Sequence, residues 1–370
     1  MQKWTVRTSS IYKCFLWLYC IVLGCRDLFQ SMGLPVFIFL ALLFFIPFAL
    51  LVLEFVLNLK FSVGTFLFLT LIAFYLFISP VNVNGFQFFL PLLCAGLAFR
   101  YVDYKYISKA FLITQMACLT IRFYLINIGL IVEKKFGAAW KVEDGRSVYD
   151  LGYGNANSAG MIFFFLCCMI HCYWYNSKKW LSFVLILFIS YFAYYYTVSR
   201  TASFSCLLLL LTYFIPKKVY VLVAKKRILL LVPLIVALPL LLVPFSSNLV
   251  FLDKFLSNRI YYMLYMLTLF QDSFSLITGV FIEENNNFPI DNVFSYLLVY
   301  GGIMAVFIFY FFYVSIVWKS QKIPFYILAV LMVIILSGIG ESSWAVFGRL
   351  GSSFFWLILL NKTIILANRC

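Results

Sequence analysis

The chain is divided into long apolar blocks separated by brief polar breaks, at 11–25, 34–57, 61–79, 86–99, 108–131, 158–175, 180–197, 202–216, 228–245, 293–317, 323–340 and 344–360. A helix needs about 20 apolar residues to cross a bilayer. Inside lipid every backbone polar group must be satisfied within the protein, so only helices and closed barrels span it. Barrel strands alternate apolar and polar residues in segments of about ten, whereas these blocks are continuous runs. The fold class expected is therefore all-α: a polytopic integral membrane protein of about twelve transmembrane helices, in one domain covering 1–370. The first, fourth, eighth and last blocks are short, so the count can slip by one or two. Composition agrees, with 65% hydrophobic and 11% charged residues where soluble domains carry about 25% charged.

A net charge of +15 raises the question of nucleic acid, and the positions of the charges answer it. They sit in the breaks between blocks, as a topology signal does. With the N-terminus inside, the inner breaks hold Lys3, Arg7, Lys13, Lys60, Arg100, Lys105, Lys109, Lys178, Lys179 and the run Lys225–Arg227, among others. The outer breaks hold about half as many basic residues and most of the acids, including Asp27, Asp150, Asp253, Asp272, Glu283, Glu284, Asp291 and Glu341. Both termini are expected in the cytoplasm, with the chain a multi-pass membrane protein and no nucleic acid partner. The opening MQKWTVRTSSIYK is basic and lacks a small-residue cleavage site, and reads as the cytoplasmic lead into the first span. Most of the ten cysteines lie in or beside apolar blocks, where cysteine acts as a small hydrophobe.

Two outer segments exceed a simple turn. One is 132–157, ending in Gly152-Tyr153-Gly154-Asn155-Ala156-Asn157. The other, 246–292, carries mixed and partly amphipathic sequence between two apolar blocks. Long loops are usually functional, and the aromatic stretch from Arg259 to Phe270 is expected to fold back over the outer mouth as a partly helical lid.

Each candidate residue has an ordinary explanation beside a functional one. Asn155 and Asn157 can cap a helix, or face a sugar or phosphate. Arg200, in the minimal outer turn TVSRT, opposes the inside bias; it can snorkel to lipid phosphate or bind an anionic group. Arg122 lies within an apolar block, where a cation costs about 2.5–3.5 kcal/mol and usually lines an interior path; a partnership with Glu54, the other ion inside a block, is the structural alternative. Arg259 can anchor an interfacial helix or contact substrate. Asp291-Asn292 can cap the helix that follows, and Glu341 can be a solvated turn acid, yet a carboxylate at the membrane mouth is where a general base is useful. His171, with Cys167, Cys168 and Cys172 on the same stretch, lacks the second cluster a zinc site needs. There is no P-loop, HExxH, GxSxG or nucleotide fingerprint.

Taken in order, GYGNANSAG, SRTAS, NRIYYMLYMLTLF with LITGVF, IDNVFSYLLVYGGI and GESSWAVFGRLGSSFFWLILL resemble the Wzy-type polysaccharide polymerases of the O-antigen ligase-like family, over roughly 150–360. The resemblance implies a metal-independent glycosyltransferase with no cofactor. It would sit in the bacterial cytoplasmic (inner) membrane and act at its outer side on undecaprenyl-diphosphate-linked glycans as donor and acceptor, in O-antigen, capsule or exopolysaccharide synthesis. A flippase and a chain-length regulator would be its partners, besides membrane lipids. Residue by residue, it implies Arg200, Arg259 and Arg122 at the diphosphate, Asn155, Asn157 and Asn292 at sugar, and Asp291 or Glu341 as the base. The ligase branch typically carries a histidine near the end of its long outer loop, and many polymerases have His-Asn there; this chain has Asp291-Asn292 and its one histidine on the inner side, which weighs against the ligase branch. An O-antigen ligase and a lipid-linked oligosaccharide flippase are the alternative expectations.

Overall fold

The computed structural model describes residues 2–58, 83–136, 148–216, 218–219, 228–243, 259–270, 273–280, 292–318, 323–342 and 349–361. The protein is an all-α membrane protein. In chain order the helices are α1 (Gln2–Ser31), α2 (Phe37–Asn58), α3 (Val83–Ala98), α4 (Tyr104–Asn127), α5 (Ala156–Trp174), α6 (Lys179–Thr197), α7 (Arg200–Leu211), α8 (Val232–Leu241), α9 (Arg259–Leu267), α10 (Ser273–Thr278), α11 (Val293–Trp318), α12 (Phe325–Ser337) and α13 (Leu350–Leu359). A two-stranded antiparallel hairpin, β1 (Lys135–Phe136) with β2 (Val148–Tyr149), lies between α4 and α5.

Every apolar block that falls within the described residues is helical. Five of these helices are long and apolar enough to cross a membrane: the segments Phe37–Glu54, Tyr104–Asn127, Ala156–Trp174, Lys179–Thr197 and Val293–Phe311. α7, α12 and α13 are apolar but shorter. The block at 61–79 lies outside the described residues.

The breaks between blocks supply the helix starts. Asp103 Oδ1 accepts from the Lys105 amide at 2.6 Å to open α4, Asn155 Oδ1 from the Asn157 amide at 2.8 Å to open α5, and Ser199 Oγ from the Ala202 amide at 3.4 Å to open α7. Each satisfies a donor that the first helical turn leaves orphaned.

Two helices form the centre. α5 packs on α4, α6, α7, α12 and α13, and α13 packs on α1, α3, α4 and α12 as well. All ten residues of α13 are buried, with Trp356 among the largest fully enclosed side chains. Close approach explains the small residues here: a Cβ on Gly351 would sit 2.2 Å from the Phe165 ring. On the outside the distribution inverts. Phe37, Ile38 and Phe45 on α2, Trp180 and Phe188 on α6, and Phe307 and Phe311 on α11 are exposed, the surface expected of helices that face lipid.

The described contacts separate into two chemically distinct ends of the bundle. At the end away from the hairpin, Tyr104 and Tyr326 share a hydrogen bond through their hydroxyls, and Asn361 Nδ2 donates to the Val102 carbonyl at 2.7 Å. Glu54, near the end of α2, pairs there with Arg100 at 2.6 Å. This corrects the expectation of a Glu54–Arg122 pair. Arg122 lies near the C-terminus of α4, at the hairpin end rather than in mid-block, and pairs with Asp27 at 2.8 Å. The reason is directional: α2 and α4 carry their acid and base to opposite ends of the bundle.

Candidate functional site

At the hairpin end, the last turn of α1, the chain after α4, the loop that enters α5 and the residue before α13 enclose a cavity of 490 Å³. Its polar wall includes Asp27, Ser31, Lys134, Asp150, Tyr153 and Arg349. Local sequence builds this wall. Asp150 follows β2 and closes the hairpin, with Oδ1 accepting from the amides of Lys134 (2.9 Å) and Gly152 (3.0 Å). The chain then turns through left-handed backbone at Leu151 (φ 51°), Gly152 (φ 71°) and Gly154 (φ 74°) before Asn155 opens α5. Glycine suits Gly152 twice over, since it tolerates positive φ and a Cβ there would lie 2.3 Å from the Ile131 side chain.

Arg122 fastens this loop to the bundle. One terminal nitrogen donates to Asp27 Oδ2 (2.8 Å) and to the Asp27 carbonyl (3.2 Å). The other donates to Ser31 Oγ and to the carbonyls of Leu151 (3.4 Å) and Gly152 (3.2 Å). The guanidinium also stacks on the Tyr153 ring, 3.6 Å from its centroid. Burial, and after it the Asp27 carboxylate, push the Tyr153 phenol well above its usual range, against the opposing pull of Arg122. Tyr153 therefore stays a neutral hydroxyl. With Asp27 neutralised by Arg122, the ionisable groups left on the wall are Asp150 and the cations Lys134 and Arg349. Arg26, buried one residue before Asp27, is close enough to Arg349 for the two like charges to interact.

The residues singled out in the sequence fall around this end without all reaching the cavity. Arg122 sits directly behind the wall with both terminal nitrogens taken up by protein acceptors. Arg200 is the exposed first residue of α7. Asn155 spends its carbonyl on the α5 cap, and Asn157 is half-buried in the first turn. Asn292 is buried: its carbonyl caps α11 through the Phe294 and Ser295 amides, and its Nδ2 donates to Val236 O (3.0 Å) and Ile339 O (3.3 Å). Glu341 is buried just past the end of α12. Arg259 begins α9, which with α10 makes two stretches of 246–292 helical; its side chain, Asp291 and the stretches 246–258, 271–272 and 281–291 lie outside the described residues, as do 137–147. His171 is enclosed between the rings of Tyr175 (4.7 Å) and Tyr213 (4.9 Å) at the opposite end. Among the described residues no group of three His, Cys, Asp or Glu converges to hold a metal.

The quoted sequence segments do meet. A Cβ on Gly160, in GYGNANSAG, would lie 2.4 Å from the Cβ of Ser199 in SRTAS. Arg349, in GRLGSS, reaches Ser158 Oγ at 3.5 Å. The amide of Val293, in IDNVF, bonds the Gly338 carbonyl at 3.0 Å. The amide of Val280, in LITGVF, bonds the carbonyl of Val299 in SYLLVYGGI at 2.6 Å.

Sequence reasoning passed over Asp27, Asp150 and Arg349. Arg349 carried the signal that singled out Arg200, a cation on the side that the inside bias leaves poor in them. Asp150 stood among the outer acids with no pattern to separate it from the rest. No family model matches this chain, and no curated protein or solved structure does either.

Proposed function

We propose that this chain is a bacterial membrane glycosyltransferase of the polysaccharide-polymerase class. It joins oligosaccharide repeat units carried on undecaprenyl diphosphate, at the outer face of the cytoplasmic membrane, within a bundle of about twelve transmembrane helices. The supporting observation is that the segments resembling the Wzy-type polymerases, scattered over some two hundred residues of sequence, pack against one another at one end of the bundle, two of them on a polar cavity.

The chemistry asks for little else. Transfer of a glycan from a lipid diphosphate develops negative charge on the leaving oxygen, which fixed cations stabilise. Arg349 and Lys134 on the cavity wall, and Arg200 at the N-terminus of α7, supply cations at that end. Arg122 serves this reading as the fastener of the 148–155 loop, since its donors already have partners. Neutral hydrogen-bonding groups for sugar come from Gln30, Ser31 and Tyr153.

Deleting the gene and extracting the lipid-linked and surface glycans tests the proposal. A polymerase leaves single repeat units on the lipid carrier. Free polymer never joined to its final acceptor would instead mark a ligase, and complete units held on the cytoplasmic side a flippase. Surface glycan of wild-type length in the deletion strain would remove glycan assembly altogether.

A further inference from the structure

We infer that Asp150 is the carboxylate that accepts the proton of the attacking sugar hydroxyl. The inference rests on the glycosyltransferase reading above and deepens it with a residue for the acceptor side.

Four observations carry it. Asp150 lines the cavity while being only 1% exposed. Its carboxylate is oriented, because Oδ1 receives the backbone amides of Lys134 and Gly152. Oδ2 receives no hydrogen bond among the described residues, although a buried polar atom left unpaired is costly and nearly always has a partner. The other acid of the wall, Asp27, is committed to Arg122, whereas no ion pair holds Asp150 among the described residues. An oriented carboxylate with one unclaimed oxygen, in a cavity whose wall also bears the cations Arg349 and Lys134, is arranged to receive a hydroxyl near a bound phosphate.

The step balances without a co-reactant. The acceptor oxygen forms a bond to the anomeric carbon of the donor glycan as the bond from that carbon to the diphosphate oxygen breaks. The electron pair of the broken bond leaves on the diphosphate, releasing undecaprenyl diphosphate. The hydroxyl proton passes to Asp150 Oδ2 and from there to water.

Asp150→Asn isolates the role, because the amide oxygen still accepts from Lys134 and Gly152 while the proton acceptor is lost. The full-length protein is reconstituted in lipid nanodiscs. Turnover is measured on lipid-linked units extracted from the deletion strain, and binding on undecaprenyl diphosphate. Turnover is expected to fall about 10²–10⁴-fold with undecaprenyl diphosphate binding unchanged. Wild-type turnover overturns the assignment. So does loss of turnover and binding together, which would reduce Asp150 to a support of the loop. If Asp150→Asn does not reach the membrane, Asp150→Ser replaces it, since its hydroxyl can take the same amides, and the same outcomes decide. Failure of the wild-type protein to extend the extracted units or to bind undecaprenyl diphosphate is a different result: it defeats the glycosyltransferase reading, and this assignment falls with it.

Discussion

Arg122 shows what a single buried cation can organise. Its side chain is 1% exposed and touches α1, the hairpin loop and the ring of Tyr153 at once. Removing one member of a buried pair leaves an uncompensated charge and costs about 3–5 kcal/mol. Asp27→Ala is therefore expected to lower the thermal stability of the detergent-solubilised protein by that order, and Arg122→Lys to rescue Arg122→Ala only in part. A lysine is a point charge, unable to serve a carboxylate and several carbonyls from one planar fork. Equal stability of Arg122→Lys and wild type would refute the fastening role. The cost of an ion within an apolar block was legible in the sequence, and it marked Arg122 and Glu54 correctly as residues needing partners. Which partner each takes was not legible, because Asp27 and Arg100 lie at block edges where charges are ordinary. Helix direction, rather than depth within the block, decides who meets whom.

At the scale of elements, apolar runs predicted helices well and breaks in them poorly. α11 reads as one continuous block, but Gly302 adopts φ 64° and ψ −169°, far from helical values, and the helix kinks there. The Val299 carbonyl, one turn earlier, accepts instead from the Val280 amide. At membrane depth such a freed group needs a partner from elsewhere in the protein. The approach is tight: Gly279, at φ 91°, lies against the backbone of Val299–Gly301, and a Cβ on it would come within 2.6–2.8 Å of those atoms. A glycine pair within an apolar run does not announce a break, because isolated glycines are common in membrane helices; only the docked 279–280 segment reveals it. Gly279→Ala is expected to destabilise this contact by about 1–3 kcal/mol, as overpacking does, and to speed proteolysis of the 271–291 segment in reconstituted protein. Unchanged cleavage together with unchanged melting would mean that Val280 does not hold α11 at its kink.

For the whole molecule, the order of apolar blocks and the sidedness of charge were the most legible features, and they lead to the broadest test. The Arg122–Asp27 pair, the cavity and the quoted segments occupy one end, while Arg100, Lys105, Lys178 and Lys179 lie toward the other. Under the proposed function the lysine- and arginine-rich end is the cytoplasmic one, in keeping with the resistance of positively charged loops to translocation. On that reading the hairpin end, with Asp27, Asp150 and Glu341, is the outer one. This orientation is required by the proposed chemistry, since lipid-linked units would meet the cavity only there. A cysteine introduced at Asn286, in the 246–292 segment, and another replacing Lys178, between α5 and α6, form a matched pair of probes, read in a background lacking other reactive cysteines. The first is expected to react with an impermeant thiol reagent in intact spheroplasts and the second only after lysis. Reversal of that pattern would put the cavity on the cytoplasmic side, where a donor flipped to the outer leaflet cannot reach it. Arg349 and Lys134 would then have to serve some other anionic ligand.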